Sequence, residues 1–377
     1  ETMAENQLNK SFPSLNEVLT TEPFPPPGVN LTYGTAGFRT KAHLLDSTFL
    51  RMGILAALRS RVHNGASVGL MVTASHNTEP DNGIKMVDID GGMLTQSWEK
   101  YAYSLANASP ENALSEIVSV IVAQGEDNMV NLCQSGGKVF IGQDTREHSP
   151  RLAALAIKGA RIVGAQVEEL GLVTTPQLHH VVRMTNIANG VSFHEPSGVL
   201  PDDAARWASL DGYCAMLSEA YGTLTAQEGD GGVRSVIVDA SCGVGGTQLP
   251  HLISKLNEPS SHPKSAEDSE SHKKAKVEHP LMQVKLLNNV GEGALNEGCG
   301  AEFVQKGRRP PTGWEENAGE WAAQRLCSFD GDGDRLVYHF FDASGGWHLL
   351  DGDKCAVLLA DFIAEELLHL DLSVNMA

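Results

Sequence analysis

Asp330-Gly-Asp-Gly-Asp334-Arg335 places three carboxylates at alternate positions of a six-residue stretch. On an extended strand they would crowd one face, where like charges repel. A hard divalent cation such as Mg²⁺ takes oxygen ligands and relieves that repulsion. Gly331 and Gly333 let the backbone curl so that Asp330, Asp332 and Asp334 converge. An EF-hand loop is excluded, because it requires glycine at loop position six and an acidic residue at position twelve. Counted from Asp330, those positions hold Arg335 and Phe341. A solvated acidic hairpin is the other reading of an Asp-Gly turn. The flanking Leu326, Phe329, Leu336, Val337 and Tyr338 argue instead for a loop at the edge of a core.

Thr73-Ala-Ser-His-Asn77 follows the apolar run Val68 to Val72, which reads as a buried strand. Ligands of α/β sheets bind at the carboxyl ends of strands, so Ser75 could be a nucleophile or phosphate carrier. Ser75 and Asn77 are equally residues that form turns and satisfy local backbone. Ten residues after Ser75 comes Lys85, in Asp81-Asn-Gly-Ile-Lys85. The Asp-Asn-Gly sequence signals a turn that would swing Lys85 back toward the serine. A poorly solvated lysine near cations loses its proton and acts as a base, although most single lysines are solvated. In Tyr33-Gly-Thr-Ala-Gly-Phe-Arg39, the glycines permit close approach to a ligand and Arg39 can grip a phosphate through paired hydrogen bonds. On spacing alone that segment is a Gly-rich turn. No Walker-type or dinucleotide-binding glycine motif occurs, so ATP-dependent kinase chemistry has little support. A serine, an acidic triad and a lysine without a nucleotide cradle point to a phosphate relayed through the protein itself.

These side chains need elements to hold them. Phe49 to Val62 has helical spacing after the capping candidates Asp46 and Ser47. Gln96 to Ala108 and Glu111 to Ala123 read as helices, and Lys138 to Gly142 as a strand. Ser149-Pro150 and Thr175-Pro176 each supply a cap and a first-turn proline. Ala204 to Leu224 reads as a helix broken near Gly212, and Val233 to Asp239 as a strand entering a Gly-rich turn. Leu326 to Phe329 and Leu336 to Phe341 read as a strand pair, and Asp353 to Leu370 as an amphipathic helix. The alternation predicts an α/β protein of mixed sheets covered by helices.

At about 150 residues per domain, 377 residues imply two or three domains. The excess of 47 acidic over 28 basic residues gives a formal charge of −19, which argues against nucleic acid or anionic membrane as a partner. Six cysteines without a C-x-x-C pair fit a reduced, cytosolic protein rather than a disulfide framework or zinc site. No run approaches the roughly 18 apolar residues of a membrane span.

Taken in order, these motifs resemble the α-D-phosphohexomutase superfamily, and within it the branch acting on N-acetylglucosamine phosphates. Gly171-Leu-Val-Thr-Thr-Pro-Gln-Leu-His179, Asn296-Glu-Gly-Cys-Gly-Ala-Glu-Phe303 and Leu350-Asp-Gly-Asp-Lys354 extend the likeness, which covers about residues 30–375. The resemblance implies consecutive mixed-sheet α/β domains: a flexible arm (1–29), a domain with the phosphoserine loop (30–190), a domain with the metal loop and a mobile insertion at 259–280 (191–348), and a third domain only begun (349–377). It implies that Ser75 carries the phosphoryl group and that one Mg²⁺ sits among Ser75, Asp330, Asp332 and Asp334. Lys85, with His76 beside it, would be the general acid/base, and Arg39 and Arg335 would hold phosphate oxygens. The implied reaction interconverts N-acetylglucosamine 6-phosphate and 1-phosphate through a glucosamine-type 1,6-bisphosphate, a cytoplasmic step toward UDP-N-acetylglucosamine. Phosphoglucomutase or phosphomannomutase activity, a non-catalytic shortened relative, and a metal-dependent phosphatase are the alternatives. Thr78, Gly333 and Gln143 depart from common family residues without removing a reacting atom. The sugar-contacting and remote phosphate-gripping loops of the family are not found, so slow or absent turnover and an exposed apolar face near the C-terminal end are expected.

Overall fold

The computed structural model describes residues 3–21, 23–24, 29–34, 37–125, 131–134, 136–192, 204–225, 233–258 and 281–369. They form two five-stranded mixed sheets. The strands are β1 (Phe38–Lys41), β2 (Ser67–Val72), β3 (Asp81–Val87), β4 (Lys138–Gln143), β5 (Gln166–Leu172), β6 (Arg234–Asp239), β7 (Met282–Leu287), β8 (Leu326–Phe329), β9 (Leu336–Phe341) and β10 (Trp347–Leu350). The first sheet runs β1-β3-β2-β4-β5 and the second β10-β9-β8-β6-β7. Read in those orders, both sheets have two antiparallel pairings followed by two parallel ones.

The first sheet is covered on both faces, which is why β2 reads as an unbroken apolar run. Val68, Leu70 and Val72 join the large core, while Met71 faces Leu178, Val181 and Val182 of the helix Thr175–Ala188. The helix Asp46–Val62 is buried at every position from Ser47 to Arg61. It meets the helix Ser149–Ile162 at two glycines. A Cβ on Gly53 would lie 2.0 Å from the Ala156 carbonyl oxygen, and one on Gly159 would lie 1.8 Å from that of Leu50. Only glycine permits that approach. The buried arginines of this helix meet acceptors close by, although Arg51 does so through Nη1 alone and its Nε and Nη2 have no hydrogen-bond partner among the described residues. Arg51 donates to the carbonyls of Leu105, Ala106 and Ala108, so it closes the C-terminal end of the helix Gln96–Asn107. Arg59 makes a paired contact with Asp88.

Three expectations change. The arm is not loose where it is described: the helices Met3–Ser11 and Leu15–Thr21 bury Leu8, Leu15 and Leu19 in the main core. Asp81-Asn-Gly83 is not a turn but the start of β3, paired with β1, and Gly83 is needed there because a Cβ would lie 2.3 Å from the Phe38 carbonyl oxygen. The second sheet extends to Leu350, past the expected boundary at 348. The insertion at 259–280 lies outside the described residues. On the helix Gly352–His369, Val357, Leu358, Leu359, Phe362 and Ile363 are all more than half exposed. No helix among the described residues is long and apolar enough to cross a membrane.

Candidate active site

The serine loop joins β2 to β3 and the acidic loop joins β8 to β9, so each leaves the carboxyl end of its sheet's middle strand. The Ser75 amide donates to Thr73 Oγ1 at 2.8 Å, and that hydroxyl donates to Asp144 at 2.7 Å just beyond β4. Ser75 itself has φ +51°, a left-handed conformation that costs about 1–2 kcal/mol in a residue with a Cβ. Two side chains grip the carbonyls of Ser75 and Asn77: Arg146 at 3.3 and 2.6 Å, and Asn296 at 2.9 and 3.1 Å.

The acidic loop turns on Gly333, at φ +70°, and the Arg335 amide donates to Asp330 Oδ1 at 3.1 Å. The two loops then meet. A Cβ on Gly331 would lie 2.6 Å from the Ser75 carbonyl oxygen. In the space this leaves, the Ser75 hydroxyl donates to Asp330 Oδ2 at 2.7 Å. One oxygen each of Asp330, Asp332 and Asp334 lies within 4.8 Å of the others.

Lys85 enters from β3, and its ammonium donates to Asp332 at 2.8 Å and Asp334 at 3.0 Å. Burial, the largest influence, favours the neutral amine, but the two carboxylates outweigh it and hold Lys85 above the ordinary lysine value. Of the two readings of this lysine, a poorly solvated base or a solvated surface residue, the structure shows a buried side chain, with carboxylates rather than cations against its ammonium. Asp330 is pushed up to about 8, first by burial and then by repulsion from Asp332 and Asp334. Burial also opposes ionisation of Asp332, yet the Lys85 ammonium and the Thr175 hydroxyl, at 2.6 Å, hold it below the usual carboxylate range.

Arg335 closes the group. It donates to Ser75 Oγ at 3.0 Å, to Asp330 Oδ2 at 2.9 Å and to Glu302 at 2.8 Å. It also donates to His76 Nδ1, and Arg39 approaches the same nitrogen at 3.4 Å. Burial, then the charge of Arg335, lowers the His76 pKa, so the imidazole is neutral with Nδ1 as acceptor. Arg39 Nε is buried without a hydrogen-bond partner, which leaves a donor for an incoming anion.

The donor set fits a hard cation. Asp332 Oδ1 is buried and has no hydrogen-bond partner, an expensive state for a carboxylate oxygen unless a cation is there to meet it. All eight expected site residues, Arg39, Ser75, His76, Lys85, Asp330, Asp332, Asp334 and Arg335, thus converge on one place. Arg146, Thr175, Asn296 and Glu302 join them without having been assigned a role. The last three lie in segments quoted for their family likeness, but nothing in their type or spacing marks them as site residues.

The profile of phosphoglucomutase/phosphomannomutase, alpha/beta/alpha domain I, matches residues 54–113 and 109–194. Human phosphoacetylglucosamine mutase is 40% identical over 356 residues, covering 93% of this chain and 57% of the human protein. The chain therefore spans little more than half the length of that relative. A structure of Aspergillus fumigatus N-acetylphosphoglucosamine mutase with GlcNAc-6P and magnesium matches at 31% identity and TM-score 0.75, covering 97% of this chain and 59% of that one. An apo-form N-acetylglucosamine-phosphate mutase matches at 33% identity and TM-score 0.73, covering 97% of this chain and 68% of that one. Identity and coverage at this level, joined to the paired serine and acidic loops, show that the chain belongs to the α-D-phosphohexomutase superfamily, in its phosphoacetylglucosamine mutase branch.

Proposed function

We propose that this chain moves a phosphoryl group between Ser75 and an N-acetylglucosamine phosphate, interconverting the 6-phosphate and 1-phosphate through a 1,6-bisphosphate. The carrying observation is the 2.7 Å contact between Ser75 Oγ and Asp330, inside a triad of converging carboxylates. Phosphoserine 75 would donate to the free sugar hydroxyl: the new sugar O–P bond forms as the serine O–P bond breaks. The hydroxyl proton must leave and the serine oxygen must gain one. Lys85, buried with its ammonium between Asp332 and Asp334, would give a proton to the serine oxygen as it leaves and recover one from the attacking hydroxyl, so that the step balances. The bisphosphate then turns over and returns its other phosphate to Ser75. Bound among Asp330, Asp332 and Asp334, Mg²⁺ would offset the negative charge of the transferring group. Arg39, with its unused donor, and Arg335, already touching Ser75 Oγ, hold phosphate oxygens in this reading. The N-acetylglucosamine specificity rests on the relatives, and a cytoplasmic place before UDP-N-acetylglucosamine formation belongs to the same proposal.

Incubation with Mg²⁺ and radiolabelled hexose 1,6-bisphosphate tests it. Label is expected on Ser75, none on Ser75→Ala, and little as inorganic phosphate. Stoichiometric release of inorganic phosphate instead would favour a phosphatase and overturn the mutase reading.

A further inference from the structure

We infer that Asn296 is a positioning residue that holds the serine loop in transfer geometry from the opposite domain. Its side-chain amide donates to both the Ser75 and Asn77 carbonyls, at 2.9 and 3.1 Å. One carbonyl belongs to the strained Ser75 itself and the other lies two residues on, so the bonds offset the cost of a left-handed serine. Arg146 grips the same two oxygens from the serine's own domain. Asn296 adds the second sheet.

The amide is itself rigidly placed. The Asn296 backbone amide donates to the Ser241 carbonyl at 3.0 Å, and the Ser241 amide donates to Asp239 Oδ1 at 3.0 Å. Asp239, fully buried at the end of β6, also accepts from Asn288 at 2.8 Å and from the Gly300 amide at 2.7 Å. A line of hydrogen bonds thus runs from the second sheet to the serine. Gly331 of the acidic loop packs on the last link: a Cβ there would lie 2.8 Å from Asn296 Nδ2 and 2.6 Å from the Ser75 carbonyl oxygen. The serine loop, Asn296 and the acidic loop therefore share one fixed contact, and a change in Asn296 displaces Ser75 relative to Asp330.

This inference rests on the mutase reading for its consequence, but not for the brace itself. The test uses Asn296→Asp, of equal size but lacking both donors, and Asn296→Ala. Hydrogen exchange of amides 73–79 reads the brace without any activity. Exchange there is expected to quicken at least tenfold in both variants, with β2, β4 and β6 unchanged. Label uptake onto Ser75 from hexose 1,6-bisphosphate is expected to slow at least tenfold, since misplacement by about an ångström can cost a hundredfold. Mg²⁺ affinity at the acidic triad is expected to stay within twofold. Unchanged exchange at 73–79 overturns the inference, as does faster exchange with unimpaired label uptake. If wild-type protein takes up no label, the mutase reading fails, and the brace is judged on exchange alone.

Discussion

Lys85 stands where two carboxylates demand positive charge. Its ammonium lies between Asp332 and Asp334, and Asp332 is fully buried. Removing one partner of a buried pair leaves an uncompensated charge and costs about 3 kcal/mol. A Lys85→Met variant should therefore be less stable than wild type in EDTA, by about that much. Added Mg²⁺ can meet the same carboxylates, so it should recover most of the loss. Thermal melts with and without Mg²⁺ should show a larger metal-dependent gain in the variant than in wild type. Equal gains in the two proteins would mean that lysine and cation do not share these ligands. At this scale the candidate site was readable in the chain, because three aspartates at alternate positions and a serine after an apolar run are unusual in type and spacing. Thr175, Asn296 and Arg146 were not, because a hydroxyl, an amide and a guanidinium gain their roles only from the carbonyls and carboxylates that folding brings to them.

The strands show a second way in which local pattern succeeds or fails. β2 could be read from sequence because both faces are covered and its side chains are continuously apolar. β5 could not: it is an edge strand with Glu168 and Glu169 in its middle, charges that protect an edge from pairing. β3 was hidden by its poor strand formers Asp81, Asn82 and Gly83, which are held by pairing with β1. The N-terminal helices carry few apolar residues, and only their burial shows that they belong to the core. In the second sheet, adjacent strands are tied by polar groups as well as ladders. His339 of β9 accepts from Trp347 Nε1 of β10 at 3.2 Å and meets Ser328 of β8 at 3.2 Å. Burial lowers its pKa to about 4, against 6.5 when unfolded. Between those values the unfolded chain binds a proton that the folded chain does not. Stability is therefore complete above pH 6.5 and falls as the pH drops toward 4, by about 3 kcal/mol over the whole window. His339→Gln retains an acceptor and a donor but cannot titrate. Urea unfolding from pH 7 to 4 should show a shallower decline for this variant than for wild type, and parallel curves would exclude His339 as the source.

Across the whole molecule, two sheets of the same strand-direction pattern are joined at the site by polar links between their loops. The links are Ser75 to Asp330, Lys85 to Asp332 and Asp334, Thr175 to Asp332, Asn296 to the serine loop, and Gln177 to Gln248 at 3.1 Å. Such a junction must respond to charge. With every group ionised, Asp330, Asp332, Asp334 and Glu302 face Lys85, Arg335, Arg39 and Lys306, so four negative charges meet four positive ones. Phosphorylation of Ser75 adds a charge of about −2, which takes the junction from neutral to about −2. Arg335 offers little spare compensation because it already serves Asp330 and Glu302. A divalent cation returns the total to about zero, the value before phosphorylation. The phosphorylated protein should therefore melt below the unphosphorylated protein in EDTA and above it in Mg²⁺, where phosphate oxygens and carboxylates share one cation across the domains. Each kcal/mol of that difference corresponds to about 2–4 °C for domains of this size, so calorimetry resolves both signs. A shift in the same direction under both conditions would mean that the phosphate is neutralised by arginine alone, and the two loops would then have no common cation to hold them together.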